Sequence, residues 1–197
     1  MVLRMFISGA ILVFPTMMLQ RVLVMVIGEH PLFYSFGISA GIEEFMKWFI
    51  LYFLIFKHVV FDEPYDGIVY AVAVSLGYAT VENILYAFLN DSSMHSLLMR
   101  AFLPVSGHAL FGVIMGYQLG RAKFSVKNVK FIFILSLLLP ILYHGFFNYL
   151  LLLLDTNRLW LMVPVMIILW VSSLWTVKQA NANSPLRMMN LDDKIRI

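Results

Sequence analysis

The chain of 197 residues has no cysteine. Disulfides, thiolate metal sites and a cysteine nucleophile are therefore excluded. Charge is scarce as well: 13% of residues are charged and 61% are hydrophobic. That balance belongs to a polytopic membrane protein in a lipid bilayer and not to a soluble domain of this size. No polar stretch is long enough to hold a separate soluble core. The formal net charge is only +3, and the basic residues gather in a few loops. This points to membrane topology and away from nucleic-acid binding. The start, Met1-Val-Leu-Arg4, has the basic character of a signal peptide. Its apolar run continues too far and shows no small-residue cleavage site, which predicts a spanning helix instead.

Long apolar runs are what the chain has in abundance. They predict an all-α polytopic transmembrane helix bundle with six spans, near 2–27, 32–56, 66–89, 97–120, 131–154 and 159–177. The Asp62-Glu-Pro-Tyr-Asp66-Gly stretch supplies turn and N-cap chemistry ahead of the third. Residues 1–178 form one transmembrane domain, and 179–197 a polar tail. With the N-terminus in the cytoplasm, ten of the 14 Lys and Arg residues fall inside and three outside, Arg21, Arg100 and Arg158, while Lys47 lies within the membrane. That asymmetry predicts both termini, and the tail, to be cytoplasmic.

Within the second apolar run stands Gly41-Ile-Glu43-Glu44-Phe-Met-Lys47-Trp48. Each of its three charges costs on the order of 2.5 kcal/mol or more if it faces lipid. They must face a polar interior. Counted from the outer end of each span at ~1.5 Å per residue, Glu43 lies ~17 Å deep, Glu82 ~10 Å, His108 ~16 Å, His144 ~15 Å and Asn148 ~9 Å. Four helices thus bring polar side chains into one slab, which predicts a shared site. Glu43 and Lys47 are four apart in the favourable order. Glu43 and Glu44 are about 100° apart around the helix, so one faces the reacting centre while the other pairs or orients. Pro104 and Pro140 each precede a His by four residues and can kink the helix there. Gly112, Gly116 and Gly120 form a small-residue ladder for close helix approach, as do Gly37 and Gly41.

Blander readings weigh against some of these residues. Glu43, Glu44 and Lys47 could be a structural ion-pair cluster, though buried pairs stabilise poorly. Asn83 reads as a helix-packing hydrogen bond. Ser75, Ser106, Ser172 and Ser173 lack a Gly-x-Ser-x-Gly setting or a recognisable dyad, which argues against a serine protease. Carboxylates, imidazoles and a carboxamide without a thiol suit activation of a water. The Glu and His residues could also hold a divalent metal, zinc above all, although no His-Glu-x-x-His is present. Asn148 or a His could donate to an oxyanion. Together these predict hydrolysis of an amide within or at the edge of the bilayer. A transporter or proton relay would use the same groups, but it needs a pathway to both faces, and the inner half has no comparable polar residues.

Glu43-Glu44-Phe-Met-Lys47 resembles the EExxK motif of the PrsW family of bacterial intramembrane proteases. Tyr78-Ala-Thr-Val-Glu82-Asn83 resembles its aromatic-xxx-Glu-Asn motif, with Tyr for the usual Phe. Ser106-Gly-His108-Ala resembles the third motif and Tyr143-His144-Gly-Phe-Phe-Asn148 the last. The resemblance covers about residues 40–150. CAAX prenyl-protein proteases and immunity-type proteins share the wider clan, but they show EExxxR and a His where this chain has Glu82. The resemblance implies a multi-pass protein of the bacterial cell membrane that makes the site-1 cut in a single-span anti-sigma factor during a stress response. It implies that Glu43 and Glu44 are essential, with His108 and His144 as partners. The expected roles are Glu43 activating water and Glu44 orienting it or pairing with Lys47. Glu82, His108 and His144 hold a metal or the water, and Asn148 aids the oxyanion. A non-catalytic immunity-type membrane protein is the other reading within the clan.

Overall fold

A computed structural model of the chain describes residues 1–90, 94–154, 156–182 and 184. Among these there is no strand; six helical segments follow one another. Helix α1 is Val2–Ile27, and α2 spans residues 31–56. Helix α3 is Pro64–Leu89, and α4 spans residues 94–124. Helix α5 is Val129–Leu153; a tight turn, Thr156–Leu161, leads into α6, Met162–Ala182. The last helix thus runs further than the expected end of the span. Of the polar tail expected at 179–197, residues 183 and 185–197 lie outside the described residues.

Among the described residues, five helices are long and apolar enough to cross a membrane: Val2–Ile27, Pro64–Leu89, Ser96–Phe124, Val129–Leu153 and Arg158–Ala182. The remaining one, α2, carries the buried charges, and it is not a regular α-helix throughout. Wide π-type turns at Tyr34–Gly41 and Tyr52–Phe56 flank the α-helical Ile42–Leu51. Such wide turns are frequent at functional sites, because they re-aim side chains without ending the helix. A third one, Ala101–Val105, holds Pro104 just ahead of His108. Proline lacks the N–H that an α-turn needs there. Pro140, by contrast, lies inside an uninterrupted α5. At the start of α3, Glu63 and Asp66 form a reciprocal capping box, as the turn chemistry predicts.

The bundle is built around α3, which packs against α1 on one side and α4 on the other; α5 lies against α2 and α4. Glycines make these approaches possible. A Cβ at Gly9 would run into the Val74 carbonyl, and one at Gly77 into the Phe6 carbonyl. Between α3 and α4, Gly67 and Gly116 face each other's carbonyl, and Gly120 faces that of Pro64. The ladder of Gly112, Gly116 and Gly120 therefore does bring two helices together. Gly37 and Gly41 do not: around them a Cβ would meet only Phe33 and Phe36 of their own helix. The wide turns there fold α2's own backbone over Gly41, and no neighbouring helix uses the gap. A Gly116→Val variant must push α3 from α4, because the obstacle is backbone and cannot rotate away. Denaturant unfolding in micelles should show a loss of about 1–3 kcal/mol or more.

Candidate active site

Residues 42–51 of α2 turn regularly, so Glu43, Glu44 and Lys47 share the side that faces the bundle. All three are buried, and Glu44 and Lys47 have no exposed surface at all. The ammonium of Lys47 donates to Glu44 Oε1 at 2.7 Å and lies 3.9 Å from Glu43 Oε2. It also sits 4.5 Å from the centre of the Tyr78 ring on α3. From α4, His108 places Nδ1 at 3.0 Å from the same ammonium. An ammonium only donates, so Nδ1 accepts and the proton of His108 is on Nε2. That Nε2 donates to Glu82 Oε2 on α3, 3.0 Å away. From α5, His144 Nδ1 donates to Glu44 Oε1 at 2.9 Å. In a neutral ring its Nε2 then carries the lone pair, 4.0 Å from Glu43 Oε2.

The slab of polar groups is thus one connected cluster. Glu43 and Glu44 are placed differently. Glu44 lies behind the site, gripped by Lys47 and His144. Glu43 lines a cavity of about 90 Å³ together with Ser39, Glu82, Arg100, His108, His144 and Asn148. That is room for more than one water. Apolar walls come from Pro104, Phe111, Phe147 and Leu151, and the Phe111 ring stacks on His144 at 4.9 Å. A larger cavity of about 330 Å³ lies beside Tyr34 and Leu152 but holds no imidazole and one carboxylate, Glu29. Chemistry, not size, marks the site.

Three contacts were not foreseen from the sequence. Gln20, a polar residue in the apolar α1, donates to Glu43 Oε1 at 3.0 Å. Ser39, one turn before Glu43, donates to the same oxygen at 3.3 Å. Asn148 reaches the site through that serine: its Nδ2 donates to Ser39 Oγ at 2.9 Å. A lone Gln in mid-span, and a Ser four residues before a key Glu, were the signals available. Asn83 accepts a bond from Arg100 Nε at 3.2 Å, and the guanidinium lies 3.8 Å over Tyr86.

Glu43, Glu44, His108 and His144 each offer a ligand atom, and these atoms lie within 4.8 Å of one another. Oε2 of Glu43 and Oε2 of Glu44 are buried and make no hydrogen bond to the described residues. Three carboxylates in the cluster face one ammonium and, at the rim, one guanidinium, so negative charge is in excess. The donor set fits a divalent metal. Glu82, expected among the ligands, is not in that group of four. It binds the Nε2 edge of His108, where a carboxylate orients the ring.

A family model described as PrsW family intramembrane metalloprotease matches residues 1–173. Protease PrsW of Halalkalibacterium halodurans is 47% identical over 181 residues, covering 91% of this chain and 83% of the relative. The Geobacillus kaustophilus protein of that name is 48% identical over 182 residues, 91% of this chain and 79% of its own. The Bacillus subtilis protein of that name is 46% identical over 184 residues, 92% and 83%. No solved structure matches. Agreement over so much of the length, with relatives all named as proteases, means that the chain belongs to the PrsW family and is a multi-pass membrane peptidase.

Proposed function

We propose that the protein makes the first, site-1 cut in a single-span anti-sigma factor, in the segment just outside the bacterial cell membrane. The observation that carries the reading is the pairing across the cavity of Glu43 Oε2, free of hydrogen bonds, with the lone-pair nitrogen of His144 at 4.0 Å. A water admitted between them would be held by both. Glu43 takes its proton as the oxygen attacks the substrate carbonyl, and later returns that proton to the leaving amine as the C–N bond breaks. Asn148, whose amide lines the cavity, would serve an oxyanion. Lys47 keeps Glu44 paired and holds His108 in one tautomer. The cavity is lined from the start of α4 and the end of α5, and the charge asymmetry of the loops assigns that end to the outer face. A substrate's juxtamembrane segment would enter there, and both termini would be cytoplasmic.

Glu43, Glu44, His108 and His144 would hold a divalent metal, zinc being the natural choice for these donors. When bound, it would make the water more acidic and polarise the carbonyl. One observation favours a second, metal-free version. The Lys47 ammonium already occupies Glu44 Oε1 and His108 Nδ1, and Glu82 occupies His108 Nε2. Reconstitution separates the versions. Protein and a candidate anti-sigma factor share liposomes, with and without a strong chelator, and product masses locate the cut. The expected cut lies in the outer juxtamembrane segment. Activity lost on chelation and restored by zinc means a metalloprotease. Activity unchanged by chelation means a glutamate-activated water. A cut confined to the cytoplasmic side would sink the proposed site-1 role.

A further inference from the structure

Helices α5 and α6 both pack on α4 but scarcely touch each other. Toward the catalytic end the gap between them is filled by Phe111, Phe147, Met162, Met166 and Leu169. Toward the other end it opens into a groove of about 330 Å³ between α4, α5 and α6. Its walls include Leu139, Tyr143 and Trp175, and its far end is polar, with Gln118, Arg121 and Gln179. Tyr143 is 40% exposed and Trp175 60% exposed, so the groove opens on the side of the bundle that faces lipid. It lies away from the catalytic cavity and shares none of its residues.

The polar end is ordered for an anion. Arg121 Nη1 donates to Gln118 Oε1 at 3.2 Å, and the guanidinium lies 5.5 Å from the Tyr117 ring centre. The Tyr117 hydroxyl in turn donates to Gln179 at 3.0 Å, tying α4 to α6 at this end. Among the described residues Arg121 has no ion pair, and no carboxylate lines the groove. Among the described residues its remaining N–H groups have no partner, which leaves them for a phosphate that guanidinium matches in shape and charge. Lys127, Lys130 and Lys178 lie at the same end of the bundle and add positive potential. Basic pockets between membrane helices bind anionic head groups in this way.

We propose that this groove binds one anionic phospholipid, its phosphate on Arg121 and an acyl chain along Leu139, Tyr143 and Trp175. The occupant must be apolar along most of its length and anionic at one end, and a phospholipid is both. The test is native mass spectrometry of the full chain released from nanodiscs of equal phosphatidylglycerol and phosphatidylethanolamine. One phosphatidylglycerol per chain should stay bound, in preference to phosphatidylethanolamine. Arg121→Gln should lower that bound fraction by about tenfold, the loss expected for one charge-assisted hydrogen bond. Thr176→Trp, which fills the groove, should expel the lipid with Arg121 still in place. Equal retention of both lipids, no retained lipid, a lipid-free dimer seated on this face, or undiminished binding by both variants would each overturn the proposal.

Discussion

Glu43→Gln should cut peptide-bond cleavage by about 10³-fold, within the range that a positioned general base contributes, and leave the fold intact. The amide keeps an oxygen where Gln20 and Ser39 donate to Oε1, so the local hydrogen bonds survive. What it loses is a basic oxygen at the Oε2 position, the atom that faces His144 across the cavity. Glu44→Gln should act differently. Glu44 does not line the cavity, and its Oε1 holds Lys47 and His144. Its loss should reduce stability as well as rate. Turnover of a reconstituted substrate, paired with unfolding midpoints, distinguishes the two. Cleavage by Glu43→Gln at the parent rate would remove Glu43 from the chemistry.

The second large effect is on stability. Lys47→Met replaces the ammonium with an apolar chain of similar length and leaves Glu44 buried beside Glu43 with no cation. Removing one partner of a buried pair typically costs about 3–5 kcal/mol, because the other charge stays uncompensated. His108 Nδ1 loses its donor in the same step. Combining Lys47→Met with Glu44→Gln removes both charges and should recover a large part of that loss. Denaturant titration of the purified variants in micelles measures it. If Lys47→Met alone is as stable as the parent, the ammonium is not the clamp that the geometry implies.

Much of this was legible in the residues, and the reason is the membrane. Hydrocarbon forces the chain into helices, and long apolar runs reveal them. The same solvent makes every buried charge conspicuous, so Glu43, Glu44 and Lys47 stood out as charges in an apolar run, and Glu82, His108, His144 and Asn148 by their depth beside Glu43. Gln20 and Ser39 did not, because a neutral polar residue in a membrane helix usually satisfies itself locally. The two glycine ladders look alike in sequence. One lies between α3 and α4; the other sits on turns too wide to present it to a neighbour.

The sequence by itself determined that the chain folds as membrane helices, that five polar groups lie in one slab, and that Glu43 and Glu44 cannot face one point equally. Rise per residue sets depth, and 100° per residue sets their divergence. Which glutamate lines the cavity, which nitrogen of His108 accepts, and that Glu82 meets the Nε2 edge of His108 were decided only by tertiary structure. Those answers depend on how each helix is rotated about its own axis. That rotation is set by packing against neighbours, with Lys47 wedged between Glu44 and His108 and the α3–α4 glycines in contact, and no local pattern along one helix records it.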